Sequence, residues 1–72
     1  MKQGKIYKNS QGRYQLEGDT YYWTCGDYME LYDEEQGEWL TGRVEHGEFD
    51  YYWTNDVDTM SLHNGMIARV ED

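Results

Sequence analysis

The sequence predicts a small all-β protein, a barrel of five or six antiparallel strands that forms one domain over residues 1–72. Short alternating runs are separated by Gly-, Asn- and Asp-containing clusters, and no segment has the apolar period of a helix. The chain has no Pro, and the tetrapeptide Tyr-Tyr-Trp-Thr occurs twice, at Tyr21–Thr24 and at Tyr51–Thr54. Each copy follows a Gly-Arg pair by the same distance, which indicates two related β-hairpins.

The N-terminal residues predict a first hairpin. Gly4–Lys8 and Arg13–Glu17 are short strand-forming runs. Residues 9–12 between them, Asn-Ser-Gln-Gly, have the composition of a turn.

The middle of the chain predicts two longer strands. Tyr28–Tyr32 alternates, with Met29 and Leu31 on one face. The charged residues 33–37 end this strand as a solvated loop, after which Glu38–His46 resumes the alternation.

The C-terminal part predicts further short strands. A Gly-Glu turn at 47–48 leads into Phe49–Thr54, where Phe49, Tyr51 and Trp53 share one face. The remaining elements are a polar loop over 55–59, a short strand or turn over Met60–Leu62, and a last strand over Met66–Val70.

The core must rely on large side chains, because a domain of this size buries only about 60% of the surface that its unfolded chain exposes. Cys25 is the single cysteine, so an intrachain disulfide is impossible. We expect at least two of the three Trp residues in the core. The predicted aliphatic core consists of Leu16, Leu31, Leu40, Val44, Ile67 and Val70.

The charge distribution restricts the partners. The chain has 15 acidic and six basic residues, a net charge of −9, and no Lys or Arg lies between Arg13 and Arg43. A field of this sign repels nucleic acid and anionic membranes and attracts basic protein surfaces, although it also simply favours solubility. We therefore expect a cytoplasmic protein that binds neither nucleic acid nor membranes directly.

The sequence predicts no enzyme, no cofactor and no metal site. Cys25 with His46 or His63 is the one candidate for nucleophilic catalysis, but no third orienting group is apparent, and a small buried packing residue is the favoured role for Cys25. The carboxylates around residues 33–38 are better explained as a solvated loop than as a cation site.

Three segments resemble the central strands of an SH3-like barrel. Gly26–Leu31 begins with a Gly-Asp turn, Gly37–Val44 contains a Trp-x-x-Gly-Arg strand, and Gly47–Phe49 begins a tight hairpin. The resemblance implies a fold of that kind. A peptide-binding SH3 domain would carry a Pro near its last strand, so the absence of Pro disfavours polyproline recognition.

The chain is also similar, over about residues 12–70, to a family of uncharacterised small domains of Gram-positive bacteria and their phages. That resemblance implies the fold and assigns no activity. The matching motifs are Cys25-Gly26, Glu30-Leu31, Gly37 with Trp39, Arg43-Val44-Glu45, and the segment from Gly65 to Arg69.

The leading function hypothesis is a binding inhibitor. A compact acidic barrel, encoded by a phage or mobile element, would occupy the basic nucleic-acid channel of a bacterial defence nuclease, as an anti-CRISPR protein that mimics DNA would.

Two alternatives remain open. One is an SH3- or Tudor-like module that binds a basic peptide or cation through Tyr28, Tyr32 and Trp39, together with Glu30 and Asp33. The other is a protein that sequesters a small aromatic or nucleotide ligand, which would require the convergence of Arg13, Arg43 and Arg69.

The predicted binding surface is the acidic middle of the chain. A monomer and a homodimer both remain open: if the two Tyr-Tyr-Trp-Thr segments lie on an edge strand, their outward aromatic side chains would favour a homodimer. The predicted contacts are Glu30, Asp33, Glu34, Glu35 and Glu38, with Tyr32 and Trp39 as anchors.

Overall fold

The computed structural model describes residues 1–71 and confirms an all-β fold, with no helix in this range. All strand pairs are antiparallel and form one sheet that curls into a half-barrel, in the order β3-β2-β1-β8-β4-β5-β6-β7. The strands are β1 Lys2–Lys8, β2 Tyr14–Leu16, β3 Tyr22–Trp23, β4 Tyr28–Asp33, β5 Glu38–His46, β6 Tyr51–Thr54, β7 Thr59–Ser61 and β8 Ile67–Val70.

The strand count differs from the prediction, because eight strands replace five or six. The additional element is mainly β3, which consists of only two residues and pairs with β2. Two residues cannot display an alternating pattern, so sequence periodicity does not reveal such a strand. Residues 1–71 contain no helix that is long and apolar enough to cross a membrane.

The hairpins predicted from turn composition are present. β1 pairs with β2 in the register Ile6↔Leu16, and the turn between them is held by Asn9, whose Oδ1 accepts hydrogen bonds from the backbone N–H groups of Gln11 and Arg13 at 3.0 Å each. This is the Asx-type turn that the Asn-Ser-Gln-Gly segment predicts.

The repeated tetrapeptide corresponds to a repeated structure. Tyr14 pairs with Trp23 in the first hairpin, and Val44, thirty residues later, pairs with Trp53 in the second. Both indoles are fully buried and donate from Nε1 to consecutive β4 carbonyls: Trp23 to Tyr28 at 2.9 Å and Trp53 to Met29 at 2.8 Å. Each hairpin therefore donates one indole N–H to β4, and the two related β-hairpins that the repeat predicts are confirmed.

The core lies on the concave face of the curled sheet, and half of the predicted aliphatic core is fully buried. Leu16, Leu31 and Val44 are at most 3% exposed. Leu40 and Val70 are only partly buried against the core, and Ile67 is partly buried outside it. The other core residues are Ile6, Tyr14, Trp23, Met29, Trp53, Leu62 and Ala68.

Phe49 is the clearest error in the predicted faces. Tyr51 and Trp53 share one face as predicted, which packs against the core, but Phe49 is 90% exposed. β6 begins only at Tyr51, because Gly47 N–H donates to the Asp50 carbonyl at 2.8 Å and closes a turn that includes Phe49. A residue inside the turn has no pleat to align it with the strand.

Candidate functional site

A cleft of about 490 Å³ opens beside the loop that joins β4 to β5. We call it the acidic cleft, because apolar side chains from four regions of the chain form its wall and three consecutive carboxylates from the loop border it. Its lining residues are Leu31, Tyr32, Asp33, Glu34, Glu35, Leu40, Met60, His63, Gly65, Met66 and Ile67.

The carboxylate border has a defined shape. Asp33 Oδ1 accepts hydrogen bonds from the backbone N–H groups of Glu35 at 3.0 Å and Gln36 at 3.3 Å, and Gly37 N–H donates to the Asp33 carbonyl at 2.7 Å. Gly37 has a φ of 69°, which a Gly adopts at little cost. Asp33 therefore shapes the loop, whereas Glu34 and Glu35 are exposed and available to a partner.

Part of the predicted site lies on the other face of the sheet. Arg69 stacks on Trp39, with its guanidinium carbon 4.1 Å from the ring centroid, and its Nε donates to Glu30 Oε2 at 2.6 Å. Tyr32 packs against the same Trp39 ring, with 5.1 Å between centroids. We call Glu30, Tyr32, Trp39 and Arg69 the convex stack, since these side chains alternate with the buried core residues of their strands.

The seven predicted site residues therefore do not form one surface. Asp33, Glu34 and Glu35 line the acidic cleft, Glu30 and Trp39 belong to the convex stack, and Tyr32 contributes to both. Glu38 is exposed where β5 begins. Glu30 is not available as a charged contact, because Arg69 already neutralises it. Trp39 likewise has one ring face covered by a cation of the same chain.

The remaining arginines have separate surroundings. Arg43 donates to Asp56 Oδ1 and Oδ2 at 2.7 and 2.9 Å and to Glu45 Oε2 at 2.7 Å. The hydrogen bonds to Asp56 and then to Glu45 raise the pKa of Arg43 further above its already high value. Arg13 instead lies 5.8 Å from the ring centroid of Tyr22. The convergence required for the nucleotide hypothesis is therefore not supported by the surroundings of these side chains.

The ion pairs of residues 1–71 leave the acidic cleft uncompensated. They include Lys2–Asp19, Lys8–Asp50, Arg43 with Glu45 and Asp56, and Arg69–Glu30. None of these pairs in the described chain includes a carboxylate of the 33–38 segment, so four of the six basic residues are engaged elsewhere. The excess negative charge is thus concentrated next to the apolar wall.

Cys25 is exposed, and its predicted role as a buried packing residue is wrong. It occupies a turn closed by Asp27 N–H donating to the Thr24 carbonyl at 3.0 Å, with Gly26 at a φ of 91°. The Cys25 thiol donates to Glu45 Oε1 at 3.1 Å. The pairing of this thiol with His46 or His63, which the sequence offers as a candidate and disfavours, is not seen, since the partner of the thiol is a carboxylate.

Metal-ligating side chains do not cluster in the part of the chain that the structure describes. No group of three or more His, Cys, Asp or Glu in residues 1–71 is arranged to hold an ion.

The wall of the acidic cleft was not predicted. The sequence pattern predicts Met60 in a short strand or turn, Met66 in the last strand and Ile67 in the core, and it indicates no binding role for any of them. One signal was available: unbranched, polarisable Met side chains are common at adaptable binding surfaces, and two of the four Met residues of this chain line the cleft.

The fold and the cleft define a small acidic all-β domain with a concave site that is partly apolar and partly charged. The chain belongs to the family described as Domain of unknown function (DUF5348), whose model matches residues 4–70. This agrees with the resemblance to an uncharacterised family. No curated protein and no solved structure matches the chain.

Proposed function

We propose that this domain is a binding protein that holds a basic segment of another protein at the acidic cleft. The observation that carries the proposal is the contact between two unlike surfaces: exposed Glu34 and Glu35 border a wall that contains Leu40, Met60 and Met66. A partner side chain with an apolar stem or neighbour and a cationic end satisfies both surfaces.

The size of the cleft suits a few side chains. Small-ligand sites range from about 300 to 1,000 Å³, and this cleft has a volume of about 490 Å³. Anionic ligands are disfavoured, because they would meet the uncompensated carboxylates without a nearby Arg. The SH3-like character, a cytoplasmic location and an origin in a Gram-positive bacterium or phage remain part of this proposal.

Inhibition of a nucleic-acid-binding enzyme is the second candidate, and it uses the same surface. The net charge of −9 and the unpaired carboxylates beside the cleft favour it, since such a surface competes with phosphates for Lys and Arg side chains. In that case the basic segment belongs to the nucleic-acid channel of a defence nuclease.

Charge reversal at the border tests the proposal. A partner is captured from a Gram-positive bacterial lysate, identified, purified and titrated against wild type and the double variant Glu34→Lys/Glu35→Lys. Border charges chiefly accelerate association at low salt, so we expect the variant to bind about tenfold more weakly at low salt, with a much smaller difference at high salt.

The matched control is Glu17→Lys/Glu48→Lys, which changes the net charge equally at two exposed positions outside the cleft. Equal weakening by both double variants would show that total charge and not the cleft drives binding, and would contradict the proposal. Displacement of the captured partner by duplex DNA would select the second candidate, whereas binding of DNA by the protein itself would exclude it.

A further inference from the structure

β5 is paired on both sides for only part of its length. Its neighbour β4 pairs with residues 38–43, from Asp33↔Glu38 to Tyr28↔Arg43. Its other neighbour β6 pairs only from Arg43 to His46. Within the described chain, no other strand pairs with residues 38–42, so this stretch is an open sheet edge in the interior of the strand order.

This open edge adjoins the acidic cleft. Leu40 lies in the middle of the unpaired stretch and lines the cleft, and Met60 of β7 lines it as well. Glu38 begins the stretch directly after the loop that carries Glu34 and Glu35. Backbone hydrogen-bonding groups, an apolar wall and a concentrated negative charge are therefore presented together.

We propose that residues 38–42 of β5 accept an extended segment of a basic partner as an additional antiparallel strand. Main-chain hydrogen bonds to an open edge give affinity, and pockets for alternate side chains give specificity. The inference rests on the proposed function and deepens it, because it specifies the conformation and sequence class of the partner segment.

The direction of β5 determines where the charges of the partner lie. β5 runs away from the acidic loop, so the C-terminal end of an antiparallel partner strand lies beside Glu38 and the loop. Lys or Arg is therefore expected at that end, and apolar residues at alternate earlier positions are expected to enter the cleft beside Leu40. Antiparallel addition also matches every strand pair of this sheet and is the slightly more stable arrangement.

A basic partner fits this edge better than a second copy of the chain. Each copy carries a net charge of −9, so two copies repel each other, whereas a basic segment is attracted to the carboxylates that border the cleft. Like-charge contacts of this kind disfavour association.

The test uses the peptide Thr-Val-Thr-Leu-Thr-Lys-Arg-Lys and two backbone-methylated forms, one methylated at Val and Leu and the other at the two Thr residues that follow them. All three have the same side chains, but N-methylation removes the amide donors that point to one side of a strand. We expect one methylated form to bind about tenfold or more weakly than the unmodified peptide in a fluorescence titration, while the other binds normally.

Two further measurements sharpen the result. The peptide with the reversed sequence should bind more weakly, and the unmodified peptide should slow hydrogen exchange of backbone amides within residues 38–42. Equal binding of all three forms would overturn strand addition while leaving capture of a basic segment intact.

Failure of the unmodified peptide to bind at low salt would also overturn strand addition. So would a protein dimer, detected by sedimentation, whose formation protects the same amides. The proposed function is decided separately, by the charge reversal against the captured partner, so the two failures are distinguishable.

Discussion

Gly42 is the residue whose lack of a side chain the fold most clearly requires. A Cβ at this position would lie 2.5 Å from both Cζ2 and Nε1 of Trp53, because the indole lies flat over the strand. This close approach allows Trp53 Nε1 to reach the Met29 carbonyl at 2.8 Å on the neighbouring strand. Gly42 and Met29 are paired across β5 and β4, so this one residue pair forms the surface against which the fully buried Trp53 ring packs.

We expect Gly42→Ala to lower the free energy of unfolding by about 1–3 kcal/mol, the usual cost of forcing extra volume into a packed core. Urea denaturation measures the change, and the control is Thr41→Ala at the adjacent exposed position, for which about 0.5 kcal/mol or less is expected. If both variants unfolded at the same urea concentration, the Trp53 indole would not pack directly against Gly42.

Asp56 combines an unusual backbone angle with an ion pair. Its φ of 73° is tolerated by Asp and Asn, and its carboxylate binds the Arg43 guanidinium through two oxygens. The hydrogen bonds from Arg43, and then its charge, lower the pKa of Asp56 below the usual value. A lowered pKa means that the unfolded chain binds more protons, so this stabilisation is present above about pH 4 and is lost as the pH falls further.

The prediction concerns Asp56→Asn, which keeps the backbone preference and removes the charge. The melting temperature of the variant should be lower than that of wild type by a constant amount from about pH 7 to 5, and the difference should shrink below about pH 4. Asp58→Asn in the same loop is the control, because Asp58 is exposed and forms no ion pair within residues 1–71. A difference that persists unchanged to low pH would assign the effect to the backbone and not to the ion pair.

The two hairpins that donate an indole N–H to β4 have the same register, but their hydrogen bonds to β4 differ in burial. The hydrogen bond from Trp53 to the Met29 carbonyl is buried, whereas the bond from Trp23 to the Tyr28 carbonyl is only partly buried. Tyr28 itself is 76% exposed, so water can replace a lost donor there. A buried acceptor without a partner retains its full desolvation penalty.

We therefore expect Trp53→Phe to destabilise the fold more than Trp23→Phe, by about 1 kcal/mol or more. Both substitutions remove one ring and one N–H from a fully buried position, so each is the control of the other. The free energies of unfolding are measured by urea denaturation, and one m-value is fitted to both variants. A larger destabilisation by Trp23→Phe would show that the burial of the hydrogen bond does not determine the difference between the two positions.

The elements that the sequence predicts well are those with a complete local signal. β4 alternates over six residues, and Met29 and Leu31 are buried as its pattern requires. By contrast, Phe49 lies in the turn that precedes β6, one residue before Asp50, whose carbonyl closes that turn. The residue types at these two positions do not distinguish a turn from the first residues of a strand. Turn closure depends on a backbone hydrogen bond that an alternating pattern does not encode.

The candidate site also has a part that the sequence predicts and a part that it does not. Glu34 and Glu35 could be predicted, because consecutive charges between two alternating runs must form an exposed loop. The apolar wall could not, since Leu40, Met60 and Met66 are brought together by strand order and not by sequence separation. The pairing of Glu30 with Arg69 is also long-range, spanning 39 residues, and only the β4–β8 register places them side by side.

For the whole molecule, the balance between attraction and repulsion depends on distance. The ion pairs span 2.6 to 3.3 Å, whereas the longest dimension of the molecule is 32 Å. The Debye length is about 30 Å in 0.01 M salt and about 8 Å in 0.15 M salt. In dilute salt the excess negative charges therefore repel one another across the entire domain, and at physiological salt only near neighbours do. The ion pairs are shorter than either length, so salt affects them less.

Salt should therefore stabilise this protein. We expect the melting temperature to rise by about 5 °C between 0.01 and 0.15 M NaCl, which corresponds to about 1 kcal/mol for a domain of this size. Glu34→Lys/Glu35→Lys changes the net charge from −9 to −5, because each substitution adds two positive units. Because self-repulsion scales with the square of the net charge, the salt-induced rise should be about a third as large in this variant. Thermal unfolding followed by circular dichroism in NaCl and KCl measures both proteins and separates screening from ion-specific binding. A melting temperature that falls with salt would mean that the ion pairs outweigh the repulsion, and that the concentrated charge beside the cleft costs the fold little stability.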